Sequence, residues 1–300
     1  MEERQKIVIG SRGSELALRQ SAIVKEAILS RDPSLQIEVL IIKTEGDGNM
    51  APIPLDTIGK GWFTKEIERA LADGTIDAAV HSLKDLPQEL PEGLVLGAYL
   101  DREDPRDVLI STEGKRLESL PAGARIGTDS VRRAVQVLAL RPDLQIESVR
   151  GNVPTRIAKL DSGSYDAIVI AAAGLTRLGL ESRISQYFTV DEVTPAPGQG
   201  ILAIEVRKTD VRTATFMRAI DDGTVRALAL CERNFSNALG GGCKTPLGAH
   251  AILAQDTVTL HGMVANGAGV VFRDTAQGSL GDAPEIGLAL AEKMRPLMHG

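Results

Sequence analysis

Cys243 stands in Gly240-Gly241-Gly242-Cys243-Lys244-Thr245-Pro246, behind three glycines and ahead of a lysine. Three consecutive glycines are costly to order and fill no core, so open backbone is expected there. A thiol on such a loop is reachable, and a neighbouring ammonium favours its nucleophilic thiolate. The alternative is a small buried residue after a glycine turn, a common setting for a free cysteine. Cys231 is the contrast. It ends Val225-Arg226-Ala227-Leu228-Ala229-Leu230-Cys231, a helical pattern, and reads as core.

Arginines recur where helices are expected to begin. Arg12 precedes a helix opening at Ser14. Arg132 and Arg133 fall in the first turn after Asp129-Ser130, Arg150 comes just before an Asn152 N-cap, and Arg156 lies one turn in. Helix N-termini carry partial positive charge, so each cation there is unfavourable by about 0.3–1 kcal/mol. An anion held at the helix end by amides and guanidiniums together removes the conflict. The planar fork of arginine suits bidentate acceptors, so carboxylates or phosphates are implied. Two plainer readings stand beside this one: Asp129 or Glu147 neutralises a neighbouring arginine, or the guanidiniums point to solvent. A last candidate is His81-Ser82-Leu83-Lys84-Asp85-Leu86-Pro87, which follows the short strand expected at Ala78-Ala79-Val80. Polar groups at the C-terminal end of a parallel strand lie where open α/β sheets bind ligands. Asp85 is either a functional carboxylate there or half of a surface pair with Lys84.

The elements that would position these residues alternate. Strand signals at 6–10, 37–42 and 77–80 interleave with helices over 14–30 and 63–72, the rhythm of a mostly parallel sheet. Residues 44–61 carry six glycines and prolines and no apolar period, a length of loop that is usually functional or disordered. The rhythm repeats with strands at 125–127, 146–149 and 167–170 and helices over 131–140 and 153–160, and one further strand follows at 202–206. After residue 218 the order changes to a helix over 225–239, strands at 249–254, 258–264 and 270–274, and a helix over 283–297. Asn266-Gly267 marks a hairpin between the last two strands. The expected fold is therefore α/β, with two α/β lobes and a small C-terminal α+β domain carrying a three-stranded antiparallel sheet.

Charge and composition narrow the classes. The 300 residues hold 34 Lys+Arg against 40 Asp+Glu, a formal charge of −6, which argues against nucleic acid as a partner. There is no apolar run of bilayer length and no signal-peptide pattern before Ile7, so a soluble protein of a reducing compartment is expected. The four histidines show no ligand spacing and no CxxC occurs, so no metal is expected. Neither GxGxxG nor GxxxxGK[ST] is present, which counts against a nucleotide.

Taken in order, the chain resembles the porphobilinogen deaminase family over nearly its whole length. The matching stretches include Gly10-Ser11-Arg12-Gly13-Ser14, Gly59-Lys60-Gly61-Trp62-Phe63, His81-Ser82-Leu83-Lys84-Asp85-Leu86-Pro87 and Arg102-Glu103-Asp104-Pro105-Arg106-Asp107. Further on come Arg132-Arg133, Arg150-Gly151-Asn152-Val153, Pro197-Gly198-Gln199-Gly200 and Gly241-Gly242-Cys243. The resemblance implies two lobes like periplasmic-binding-protein halves and a third domain with the cysteine: 1–99 with 196–217, 100–195, and 218–300. It implies a dipyrromethane cofactor bound covalently to Cys243 as a thioether. The implied reaction condenses four porphobilinogens head to tail, with loss of ammonia, and releases hydroxymethylbilane.

On that resemblance Asp85 is catalytic, stabilising positive charge that grows in the transition state. Lys84, Ser130, Arg132, Arg133, Asn152 and Arg156 bind the cofactor. Arg12, Ser14, Gln20, Phe63, Arg150 and Arg177 bind substrate, and 44–61 serves as a lid. A cytoplasmic monomer without metal is expected. Asp129 departs from the family pattern, where a hydroxyl residue is expected, and its charge would temper Arg132. Trp62 and Glu15 also differ, at peripheral positions. The rival reading is a non-enzymatic clamshell that binds an anionic small molecule; it leaves Cys243 and Asp85 without a role.

Overall fold

A computed structural model describes residues 6–44, 64–241 and 245–298. Cys243 and Phe63, and nearly all of the expected lid, lie outside the described residues. The chain divides into two compact units, residues 1–102 with 201–226, and 103–200 with 227–300.

The first unit opens with β1 (Lys6–Ser11), α1 (Glu15–Arg31) and β2 (Gln36–Ile41), then α2 (Lys65–Ala72), β3 (Ala78–Ser82) and β4 (Leu94–Tyr99). Helix α1 starts directly after Ser14. Its extended backbone and its Oγ, accepting from Ala17 N, cap the first turn. β1 pairs in parallel with β2 and β3. Ile7 and Ile9 are fully buried, and β3 is buried over Ala78, Ala79, Val80 and His81, as a strand covered on both faces requires.

The second unit repeats the plan: β5 (Asp107–Ser111), β6 (Arg125–Gly127), α3 (Val131–Leu140), β7 (Gln145–Glu147), α4 (Val153–Asp161), β8 (Ala167–Ala171), α5 (Ala172–Leu178) and β9 (Gln186–Tyr187). Its sheet runs β7-β6-β8-β5-β9, with β5 antiparallel to β8. The chain then supplies β10 (Leu202–Arg207), antiparallel to β3, and α6 (Val211–Arg218), which complete a first sheet of order β2-β1-β3-β10-β4. Each lobe is thus a parallel βαβαβ core with an antiparallel strand beside its third member.

The remainder is α7 (Gly223–Ala238), β11 (Leu247–Ala254), β12 (Thr257–Ala265), β13 (Val271–Ser279) and α8 (Ala283–Met294). The three strands form an antiparallel meander. Cys231 sits fully buried between α7 and α8, with Phe235, Leu290 and Met294 in the same cluster. A Cβ on Gly287 would come within 2.2 Å of Cys231 O, so only glycine lets the two helices approach this closely. Burial pushes the Cys231 thiol up to about 12, which makes it a core residue without nucleophilic character. No helix among the described residues is long and apolar enough to cross a membrane.

Candidate active site

In the first unit, β3 ends in a 3-10 turn, Leu83–Asp85. Leu83 is fully buried and Leu86 is 6% exposed, so the turn is pinned on both sides while Asp85 stays exposed and Lys84 half-buried. Two backbone hydrogen bonds fix it: Leu83 N donates to Ile201 O (3.0 Å) and Leu86 N to Leu83 O (3.2 Å). Gln20, buried on α1, donates from Nε2 to Ser82 Oγ at 2.8 Å, tying the helix to the strand end that carries the acid. Arg12 and Ser14 follow β1 at the same parallel edge, with the Ser14 hydroxyl engaged as the α1 cap. The structure therefore places Arg12, Ser14, Gln20, Lys84 and Asp85 on loops and helix starts at the C-terminal ends of adjacent strands.

In the second unit the arginines lie deeper than the sequence suggests. Arg132 and Arg133 are 5% and 7% exposed, and both close on Asp107, which is fully buried at the start of β5. Arg132 Nη1 lies 2.6 Å from Asp107 Oδ2 and also donates to Thr194 O. Arg133 Nε donates to Asp107 Oδ1 at 2.9 Å, its Nη2 lies 2.8 Å from the same oxygen, and Nη1 donates to Val169 O. Gln199 Nε2 adds a donor to Asp107 Oδ1 at 3.1 Å. Asp129 does not temper Arg132 as expected. Asp129 accepts a short hydrogen bond from Ser148 Oγ, and the carboxylate that serves Arg132 is Asp107. Nor do these two guanidiniums point to solvent.

Two guanidiniums on one carboxylate leave a formal excess of one positive charge in a buried setting, which favours an anion. Nε and Nη2 of Arg132 have no partner among the described residues, so donors remain for one. Burial pulls the Arg132 guanidinium below its ordinary value, with Asp107 opposing.

The neighbouring helix start is arranged alike. Ser130 Oγ caps α3 by accepting from Arg133 N. Asn152 Oδ1 caps α4 by accepting from Thr155 N and Thr155 Oγ1. Gly151 holds φ at +114°, and a Cβ there would meet Thr155 at 2.6 Å, so the Arg150-Gly151-Asn152 turn needs its glycine. Arg156 Nε donates to Gly151 O, which folds that guanidinium back over the helix N-terminus. Arg150 is half-buried at the same turn. Arg177, on α5 after β8, donates from Nη2 to Gly200 O. Burial lowers it to about 10, opposed by Glu103, so it stays cationic at neutral pH.

Sequence reasoning missed Asp107, Gln136, Thr194, Gln199 and Glu232. Gln136 Nε2 donates to Thr194 O and its Oε1 accepts from Thr194 N, which holds that carbonyl for Arg132. Glu232, fully buried on α7, accepts from Gly198 N and Ala251 N, both at 2.7 Å, and so joins the 195–200 segment to β11. The signal was present for Asp107. An acid opening the apolar run Asp107-Val108-Leu109-Ile110 must find a cation once the strand is buried.

A dipyrromethane is a polycarboxylate, and this donor set, buried cations in excess with hydroxyl and amide groups at helix starts, fits one. The model of the porphobilinogen deaminase dipyromethane cofactor binding domain matches residues 7–215, and that of the porphobilinogen deaminase C-terminal domain matches residues 227–296. The porphobilinogen deaminase of Brevibacillus brevis is 46% identical over 289 residues, 95% of this chain and 93% of its own. That of Roseiflexus sp. is 46% identical over 292 residues, 97% of this chain and 96% of its own. That of Syntrophobacter fumaroxidans is 46% identical over 283 residues, 94% and 91% of the two chains. With both of its parts matched along nearly the whole length, the chain belongs to the porphobilinogen deaminase family.

Proposed function

We propose that Asp85 is the catalytic acid-base group and Cys243 the attachment point, in an enzyme that condenses four porphobilinogens head to tail with loss of ammonia and releases hydroxymethylbilane. The observation that carries the catalytic assignment is the turn itself. Asp85 is held exposed between buried Leu83 and Leu86, on a turn fixed by backbone bonds from Leu83 N to Ile201 O and from Leu86 N to Leu83 O. A group kept in place at no cost to its own freedom to bind is what a reacting carboxylate needs.

When bound, the dipyrromethane supplies the primer to which the first substrate pyrrole is joined. Lys84, Ser130, Arg132, Arg133, Asn152 and Arg156 would hold its acetates and propionates. Arg132 contributes Nε and Nη2, and Ser130 contributes its O–H while Oγ caps the helix. Arg12, Ser14, Gln20, Phe63, Arg150 and Arg177 would take the substrate's carboxylates and ring.

Loss of ammonia from porphobilinogen leaves a cationic methylene-pyrrole. The Asp85 carboxylate faces that charge and accepts the pyrrole N–H, an interaction stronger in the transition state than in the ground state. Protonating the departing nitrogen and removing the proton from the coupling carbon are the two transfers within its reach. The glycine-rich sequence before Cys243 and the neighbouring Lys244 in sequence favour its thiolate for forming the thioether, after which the sulfur is an anchor.

Three domains at 1–99 with 196–217, 100–195 and 218–300, one for each sheet, a lid over 44–61, and a cytoplasmic monomer complete the proposal.

Asp85→Asn tests it. The expected protein folds, keeps its two-pyrrole adduct and loses most turnover. Near-normal turnover would remove Asp85 from the chemistry.

A further inference from the structure

One buried cluster in the first unit has no part in the assignments above. His81 and Glu205 project from adjacent antiparallel strands, where Ala203 lies opposite His81 and Ala79 opposite Glu205. They therefore share a face. His81 Nε2 lies 3.1 Å from Glu205 Oε2, and the two residues are 7% and 0% exposed. Helix α2 packs over β1, β3 and β10 and brings in Glu68, 8% exposed. Burial pushes the Glu68 carboxyl above its ordinary value, against Thr64. The Glu205 charge adds to the rise, while His81 and Lys65 oppose it.

Oε1 of Glu205 and Oε1 of Glu68 have no hydrogen-bond partner among the described residues. Among the described residues the other charged side chain that acts on Glu68 is Lys65 of α2. β1 offers none between Ile7 and Ser11, and Arg207 of β10 is committed to Asp77 and Asp210. Two buried carboxylates and one imidazole are an expensive arrangement, which a purely structural sheet contact would not need.

The position of the cluster suggests its use. His81 is the penultimate residue of β3, and the turn that presents Asp85 begins two residues later with Leu83 N bonded to Ile201 O, just before β10. The His81–Glu205 bond is thus the side-chain tie across the two strands whose ends fix that turn. A carboxylate only accepts, so Nε2–H donates while Glu205 is ionised.

We propose that His81 is a positioning residue for Asp85: its buried hydrogen bond to Glu205, roofed by Glu68, holds β3 in register with β10 and so sets where the Lys84-Asp85 turn presents its carboxylate. This rests on the Asp85 reading above.

The test uses the full chain with its cofactor attached. His81→Leu should lower kcat by about tenfold or more with KM within about twofold, as a small misplacement of a reacting group does. His81→Gln, whose amide donates from nearly the same place, should recover most of the loss. Wild-type kcat in His81→Leu overturns the proposal. If His81→Leu does not fold, Glu205→Gln carries the test. Replacing the charged acceptor weakens the His81 hydrogen bond and should lower kcat several-fold with KM within about twofold, and an unchanged kcat overturns the proposal. Normal turnover in Asp85→Asn would instead sink the Asp85 reading itself, whereas its loss beside a fully active His81→Leu sinks only the inference about His81.

Discussion

The two lobes repeat one βαβαβ unit and spend charge in opposite ways. Helices α1 and α3 each follow the first parallel strand, and each is capped by a serine whose Oγ accepts the N–H three residues on. Beyond the cap they diverge. Of its described residues, α1 buries Gln20, Ser21, Val24 and Ile28, whereas α3 buries Arg132, Arg133, Gln136 and Val137. One lobe uses the helix as packing and exposes a single acid on a rigid turn. The other buries cations around one carboxylate and so keeps a fixed positive charge. The same fold can thus serve as a platform for a reacting group or as a preorganised anion cradle, according to which helix positions face inward.

The largest expected effect breaks the cradle. Asp107→Asn strands two buried guanidiniums and should cost about 3–5 kcal/mol in urea unfolding; a loss below about 1 kcal/mol would mean that the Asp107 bonds do not hold the lobe. Asp85→Asn is the counterpart on the platform. Stability should stay within about 0.5 kcal/mol, as for an exposed site, while turnover falls by roughly 10²–10⁴. The contrast between the lobes fails if these two substitutions behave alike. Arg132→Leu should keep the fold, because Arg133 remains on Asp107, and should slow chain extension by about 10–100-fold, the worth of a charged hydrogen bond. Unchanged single-turnover rates would deny Arg132 any ligand. Ser14→Ala and Ser130→Ala should each cost about 1 kcal/mol as lost caps, the first also weakening substrate binding and the second the hold on the cofactor's carboxylates.

The smallest effect concerns pH. Because the folded Glu68 carboxyl lies above its ordinary value, its contribution to stability is complete below the ordinary carboxylate range and is lost as pH rises through the raised value. Glu68→Gln removes that loss, so its melting temperature relative to the parent should climb with pH; a constant difference would show that Glu68 titrates normally.

Much of the fold was legible because its signals are local. Periodicity marked the strands of both parallel cores, Ser14, Ser130 and Asn152 marked helix starts, and the helical setting of Cys231 marked it as core. β4, β5 and β9 were not read, since Gly97 interrupts the first and β9 is two residues long. Asn266-Gly267 marked the hairpin between the last two strands, whose loop spans Asn266 to Val270. Asn266 Oδ1 accepts from Ala268 N and Val270 N there, and Gly269 takes the positive φ. The partner of Arg132 was misread for a different reason. Asp129 is close in sequence, while Asp107 is 25 residues away and meets the helix only through the sheet. Local charge pairing is visible in a sequence, and pairing across strands is not.

Covalent attachment of the cofactor at Cys243 is read most directly from mass. Intact-protein mass of the purified enzyme should exceed the chain mass by two linked pyrroles, and Cys243→Ser should lose that increment together with activity. Active protein with a bare thiol at Cys243 would contradict it.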